Sequence, residues 1–323
     1  MIRDRKAMRW FCGGLTLFLA AVVATALYCG SVRVPLTELT TSPVMQLRMA
    51  RVMLAILAGA SLSVAGTVLQ ALMRNPLAEP YLLGVSSGAG VAVAITIFAG
   101  WNLSGIAGVA GTPLVAFFGA MATLWLVCTL ARQRDGSTPV GSLLLSGAVL
   151  NAVLGSVLIF IVSVASSENL HLILWWMLGN LQIFDIRVLA MTAVVNVIGI
   201  GFCLGSARNL NLISLGDETA SQLGLEARRV RRTMLIATSM LTAGTIAACG
   251  LIGFVGLIVP HTARLIVGSD HHRLLPVSVL MGAIFLTVAD TLARTMMATE
   301  IPIGVMTALC GGPFFLYLLR TRQ

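Results

Sequence analysis

Runs of about twenty apolar residues recur along almost the whole chain, and they constrain its fold more than any motif does. They occupy residues 10–30, 52–73, 82–100, 113–131, 143–165, 188–206, 274–292 and 301–319, with Asp290 the only charged residue inside them. About twenty helical residues cross a hydrocarbon layer about 30 Å thick, so each run suits one transmembrane helix. Residues 234–268 form a longer run, interrupted by His261 and Arg264. As a single helix it would measure about 52 Å, too long for one crossing. Pro260 and the glycines Gly250, Gly253 and Gly256 are placed to break it, which predicts a full helix followed by a shorter one. The expectation is an all-α membrane protein with about ten transmembrane helices. Composition agrees, because 10% of the 323 residues are charged where a water-soluble domain carries about 25%. The first run is long enough to span and similar runs follow it, so it reads as part of the body and not as a cleaved leader. Residues 172–184 are too short to cross and hold Gly179 and Asn180, which predicts a re-entrant or interfacial piece. Trp175 and Trp176 suit the membrane–water boundary there.

Ten crossings put both termini on one side. With the basic tail (Arg3, Arg5, Lys6, Arg9) inside, the inner connections hold Arg74, Arg132, Arg134, Arg208, Arg228, Arg229, Arg231, Arg232, Arg264, Arg273, Arg320 and Arg322. Only Arg33, Arg48, Arg51, Arg187 and Arg294 of the 21 Lys+Arg remain outside. This bias satisfies the positive-inside rule and explains a net charge of +9 without nucleic acid. The six cysteines (Cys12, Cys29, Cys128, Cys203, Cys249 and Cys310) are dispersed through apolar runs with no CxxC pair, which fits neither a disulfide framework nor a zinc site. Lys6 is the only lysine, so the body has no GxxxxGK[ST] phosphate loop and no Schiff-base lysine. If ATP drives this protein, another chain binds it. The residues therefore favour movement of a solute over covalent chemistry.

Two constellations stand out. Residues 208–233, RNLNLISLGDETASQLGLEARRVRRT, are the largest hydrophilic inner segment. Ser214 can cap a short helix whose first turn carries Asp217 and Glu218, and Gly224 can end it. A second short basic helix over 226–232 would lead back to the membrane. Ala220, Leu223 and Leu225 supply a modest apolar face, so the segment reads either as a docking surface for a cytoplasmic partner or as a solvated basic loop. The second constellation is Arg48 and Arg51, on one face at the outer end of a helix, together with Arg294 at the outer end of another. They suit capture of carboxylates from an extracytoplasmic partner, or snorkelling at helix ends; Arg294 can also pair with Asp290 four residues earlier. Residues 57–66 (LAGASLSVAG) and 241–250 (LTAGTIAACG) echo each other on spans that cross in opposite directions, as an inverted repeat would. Gly84–Gly88 formally matches GxSxG and His271–His272 form a pair, but no acid lies near the first and only Asp270 accompanies the second.

Several segments together resemble a known family, the membrane permease subunits of bacterial ATP-binding-cassette importers for iron-siderophores, haem and cobalamin. They are LAGASLSVAGTVLQALMRNPLAEPYLLGVSSGAG (57–90), SLGDETASQLGL (214–225), GLIGFVGLIVPHTAR (250–264), DTLAR (290–294) and IPIGVMTALCGGPFFLYLL (301–319). They occur in the family's order and spread over nearly all of the chain after the first span.

The resemblance implies the type II ABC importer permease architecture. One permease domain covers 1–323, with a cytoplasmic coupling segment at about 208–233. It also implies a location in the bacterial inner membrane with both termini cytoplasmic. The implied partners are a second copy of the chain, two ATPase subunits and a periplasmic binding protein. No cofactor is expected in this chain, because ATP and Mg would be bound by the ATPase. By the same resemblance Ser214, Leu215, Gly216, Asp217, Ala220, Leu223, Gly224 and Leu225 fall at the coupling helices that seat in the ATPase. Arg48, Arg51 and Arg294 take the places of arginines that meet the binding protein. The alternative is an ion-coupled secondary transporter, which would want an acid deep in a span; here Asp290 and Glu300 lie towards span ends. An intramembrane hydrolase lacks a credible base. Which chelate is carried, and which residues line its path, stay open at this level.

Overall fold

A computed structural model describes residues 4–30, 42–101, 111–134, 138–183, 185–297 and 299–321. Arg3, Arg33 and Arg322 of the charge count, and Phe184, lie outside the described residues. All regular elements among the described residues are helical. They are α1 (Arg5–Tyr28), α2 (Pro43–Leu72), α3 (Val85–Phe98), α4 (Gly111–Leu130), α5 (Val140–Val164), α6 (Ser167–Met177), α7 (Ile186–Gly205), α8 (Ala207–Ser214), α9 (Asp217–Gln222), α10 (Ala227–Cys249), α11 (Val255–Val267), α12 (His271–Thr295) and α13 (Ile303–Thr321). Seven of these (α1, α2, α4, α5, α7, α10 and α12) are long and apolar enough to cross a membrane, and α3, α11 and α13 are shorter apolar helices. Each of the eight shorter predicted runs thus holds one α-helix, and the long run 234–268 holds most of α10 and all of α11. The weak stretch 172–184 holds only the end of α6, at 11 residues too short to cross, followed by a non-helical return through Leu181 and Ile183, both buried.

Helix α2 is the hub. Its 30 residues span about 45 Å, and it packs against α12, α10, α11 and α7. It starts at Pro43, well before the apolar run at 52, with the imino residue in the first turn where its missing N–H is harmless. Close approach explains the small residues. Gly59 faces the backbone of Gly282 on α12, and Gly66 faces that of Gly256 on α11, so that a methyl group at either would overlap its partner's carbonyl oxygen. Between these contacts Ser63 donates to the Ser278 carbonyl, and Thr67 donates to Ser278 Oγ at 3.1 Å. Without a hydrophobic drive between helices in lipid, this contact and hydrogen bonding hold the bundle together. Outward faces are apolar instead: Leu17, Phe18, Phe160, Val194 and Ile198 are all exposed.

The long run breaks where a break was expected, but by residues 250–254 alone. Gly256 and Pro260 lie within α11. The freed backbone groups are met by side chains from elsewhere. Tyr81 Oη donates to the Ile252 carbonyl at 2.7 Å and accepts the Ile252 N–H at 2.8 Å. Glu79 accepts the Phe254 N–H at 2.7 Å, and Gln70 donates to the Gly256 carbonyl at 3.3 Å. The return after α6 contributes as well, since the Asn180 N–H donates to the Cys249 carbonyl at 2.7 Å. Irregular backbone inside a bundle is tolerated only when it is satisfied in this way.

Candidate functional site

The polar side chains gather at opposite ends of the bundle. Helix α10 connects them: its first residue, Ala227, follows α9, and its last, Cys249, packs with Leu54 and Ala289 beside the arginines, about 34 Å away along the axis.

At the first end, α8 and α9 form a compact pair joined through Gly216, whose φ of 116° only glycine adopts without strain. Asp217 and Glu218 occupy the first turn of α9, where the helix dipole favours acids. Gly224 at φ 81° closes the helix, with the Leu225 N–H bonded to the Ala220 carbonyl and the Gly224 N–H to that of Ser221, each at 3.0 Å. Two expectations are corrected. Ser214 caps nothing at α9; it ends α8, and its hydroxyl donates to the Asn211 carbonyl at 2.7 Å. The basic stretch 226–232 is not a separate helix but the first turns of α10, continuous with the span because no residue after Glu226 interrupts it. Of the proposed apolar face, Ala220 is buried, Leu225 half-buried and Leu223 59% exposed; Leu215, outside that proposed face, stands 61% exposed, so these two leucines present the apolar surface.

The segment is anchored to the bundle. Asp217 pairs with the buried Arg231 on α10. Asn211 on α8 donates to Asp270 Oδ1 at 2.8 Å and accepts the His271 N–H at 2.9 Å. Burial pushes the Asp270 carboxyl up, but the Asn211 amide, the His272 N–H and the neighbouring His272 and Arg273 charges outweigh it and hold the group below its ordinary value. The tie to α12 therefore persists as an ionised one. No sequence signal marked Asn211, whose partner lies about sixty positions away.

At the other end Arg48, Arg51 and Arg294 come together, all buried. Arg51 Nε bonds Asp290 Oδ1 at 2.9 Å, and Arg51 Nη1 bonds Glu300 Oε2 at 2.9 Å. Arg294 Nε lies 3.0 Å from Asp290 Oδ2, the i, i+4 pair foreseen from the sequence. The remaining guanidinium hydrogens cap α1: Arg294 reaches the Ala26 and Cys29 carbonyls at 3.2 and 3.5 Å, and Arg48 reaches that of Leu27 at 3.1 Å. Glu300, with its side chain 38% exposed, also accepts from Gln182 at 2.9 Å, which draws in the segment after α6. Asp290, whose side chain is 1% exposed, is the hub. Two carboxylates, Asp290 and Glu300, thus offset the charge of Arg51 and Arg294. Glu79 escaped notice in the sequence and Glu300 stood there only as an acid towards a span end, although a chain with 12 acids makes each one informative.

The discounted motifs hold no chemistry. Ser87 donates to Asn151, which in turn donates to the Tyr81 carbonyl at 3.1 Å, so GxSxG is a helix start and not a nucleophile turn. Among the described residues no group of three His, Cys, Asp or Glu could hold a metal ion.

An all-helical bundle with a broken helix and polar ends could serve several transport mechanisms. Comparison with known proteins narrows them, since residues 15–321 match the FecCD transport family. The chain belongs to the FecCD transport family. The cobalamin import system permease protein BtuC of Halobacterium salinarum is 43% identical to this FecCD chain, covering 86% of it and 73% of that protein. The hemin transport system permease protein HmuU of Yersinia pestis is 38% identical over 86% of this chain and 84% of its own. The Fe(3+) dicitrate transport system permease protein FecD of Escherichia coli is 36% identical over 94% and 96%. Among solved structures, an inward-facing ABC transporter of the metal-chelate type superposes with a TM-score of 0.87 at 30% identity, over 97% of this chain and 99% of that one.

Proposed function

We propose that this FecCD chain is the transmembrane permease subunit of an ATP-driven importer that moves a bulky metal chelate from a binding protein to the cytoplasm. The observation that carries the reading is the family match along 15–321, with relatives named as permeases for cobalamin, haemin and ferric dicitrate. The chain acts as one permease domain. Two copies enclose the pathway, and a separate ATPase subunit on each binds ATP and Mg. The lack of any lysine beyond Lys6 supports a separate energy source. The chain lies in the bacterial inner membrane with both termini cytoplasmic, an orientation supported by the arginine bias. It places α8 and α9 towards the ATPase, with Leu215 and Leu223 as the apolar contacts and Asp217–Arg231 as the strut that stiffens them.

The Arg48, Arg51 and Arg294 end then receives the periplasmic binding protein. The three arginines are buried and engaged, and the solvent-open member is Glu300, so an incoming carboxylate docks by taking the place of Glu300 on Arg51. Proteoliposomes containing permease and ATPase, given binding protein loaded in turn with a ferric siderophore, haem or cobalamin, test the cargo. One of the three classes is expected to accumulate on ATP addition. Failure of all three, with binding protein docked and ATP hydrolysed, would remove the metal-chelate assignment.

A further inference from the structure

A cavity of about 460 Å³ opens between α4 and α10, at the end of the bundle that carries α8 and α9. Its chemistry changes with depth. Arg132 follows the end of α4, and Arg228 and Arg232 sit on the first two turns of α10. Farther along the same two helices, the lining becomes Trp125, Leu235 and Ile236. Arg228, Arg232 and Ile236 are spaced four apart, so they share one stripe of α10. Trp125 and Ile236 are exposed and lie inside segments apolar enough to span, so the apolar wall faces the surroundings of the chain at membrane depth. None of the described lining residues is acidic. Glu226 lies 3.9 Å from Arg229, which is outside the cavity, and lines an adjoining cavity with Arg228 and Arg232.

A site cationic at the helix ends and apolar towards mid-span fits an amphiphile with an anionic head and a hydrocarbon tail. We propose that this cavity binds an anionic phospholipid, with its phosphodiester on Arg132, Arg228 and Arg232 and an acyl chain along Trp125, Leu235 and Ile236. Guanidinium groups match phosphate oxygens in planar, paired contacts, and basic pockets between helix ends suit such head groups. A second copy of the chain is a poor occupant, since its connections at this end are themselves rich in arginine and offer a cationic site few acids. A cytoplasmic protein would reach the arginines but not the apolar wall. The proposal is independent of the cargo, so its failure would leave the transport reading untouched.

The test uses the purified full-length protein stripped of lipid in detergent, with phosphatidylglycerol, phosphatidylcholine and inorganic phosphate as probes. Native mass spectrometry is expected to show phosphatidylglycerol preferred over phosphatidylcholine by about ten-fold or more, with each arginine neutralised to Gln lowering that preference roughly five-fold. Arg229→Gln, outside the cavity, is expected to leave it unchanged. Phosphatidylglycerol with brominated chains is expected to quench tryptophan fluorescence in the wild type, and much less in Trp125→Phe. The single Arg→Gln variants keep the test open should the triple variant fail to insert. Equal binding of the two lipids, or a preference that survives all three substitutions, would overturn the proposal. Displacement of the lipid by millimolar phosphate would make this a free-anion site, and displacement by the ATPase subunit would make it part of that interface; either would overturn it too.

Discussion

Asp290→Asn is expected to destabilise the bundle by about 3–5 kcal/mol, because it leaves two buried guanidinium groups facing a neutral amide. Arg51 and Arg294 meet opposite oxygens of this carboxylate at 2.9 and 3.0 Å, and both are buried. Arg51 keeps Glu300, but Arg294 keeps only carbonyls of α1. A loss of that size is a large share of a total stability of about 5–15 kcal/mol, so most of the variant should fail to accumulate in the membrane. Glu300→Gln is expected to be mild, about 0–1 kcal/mol, because its carboxylate is partly solvated. Replacing Arg294 by Leu in the Asp290→Asn background should recover part of the loss, as expected for coupled groups in one network. Detergent-solubilised melting curves of the four proteins measure this. A wild-type melting temperature for Asp290→Asn would mean that the arginines find other partners and that the network does not hold this end together.

The second large effect is functional. Leu215→Asp combined with Leu223→Asp should bring uptake to background while the permease inserts and melts normally. Both leucines are exposed, so the folded chain loses little, within about 0.5 kcal/mol for each surface substitution. Apolar anchors at the centre of an interface are worth about 2 kcal/mol or more each, so the pair should weaken ATPase association roughly a thousand-fold. Co-purification of the ATPase with wild-type and doubly substituted permease reads this out. Intact association and normal uptake would make α8 and α9 a plain connection.

The spans were legible because charge is so scarce that its absence outlines every helix. Helix ends were less legible, and for physical reasons. Arg48 and Arg51 made the start of α2 look like a boundary, but Asp290, 239 positions from Arg51, cancels the charge and lets the helix run back to Pro43. Gly250, Gly253, Gly256 and Pro260 all favoured a break, yet only 250–254 leaves the helix, because Glu79 and Tyr81 supply partners there. Local propensity lists where a break can occur; long-range hydrogen bonds choose among the options. Over residues 208–233 the acidic first turn and Gly224 were readable from neighbours in sequence. The buried state of Ala220 and the Asn211–Asp270 tie were not, since both depend on what the fold brings alongside.

The arginine cluster also bears on the energy source. A carboxylate that couples an ion gradient must gain and lose its partner, whereas Asp290 is held between two guanidinium groups with its side chain 1% exposed. Uptake of chelate by proteoliposomes, energised either by ATP or by an imposed ion gradient, separates ATP-driven import from ion-coupled transport. Accumulation is expected only when ATPase subunits, binding protein and ATP are all present, and none under a proton or sodium gradient with the permease alone. Accumulation by the permease alone under such a gradient would make this chain an ion-coupled secondary transporter.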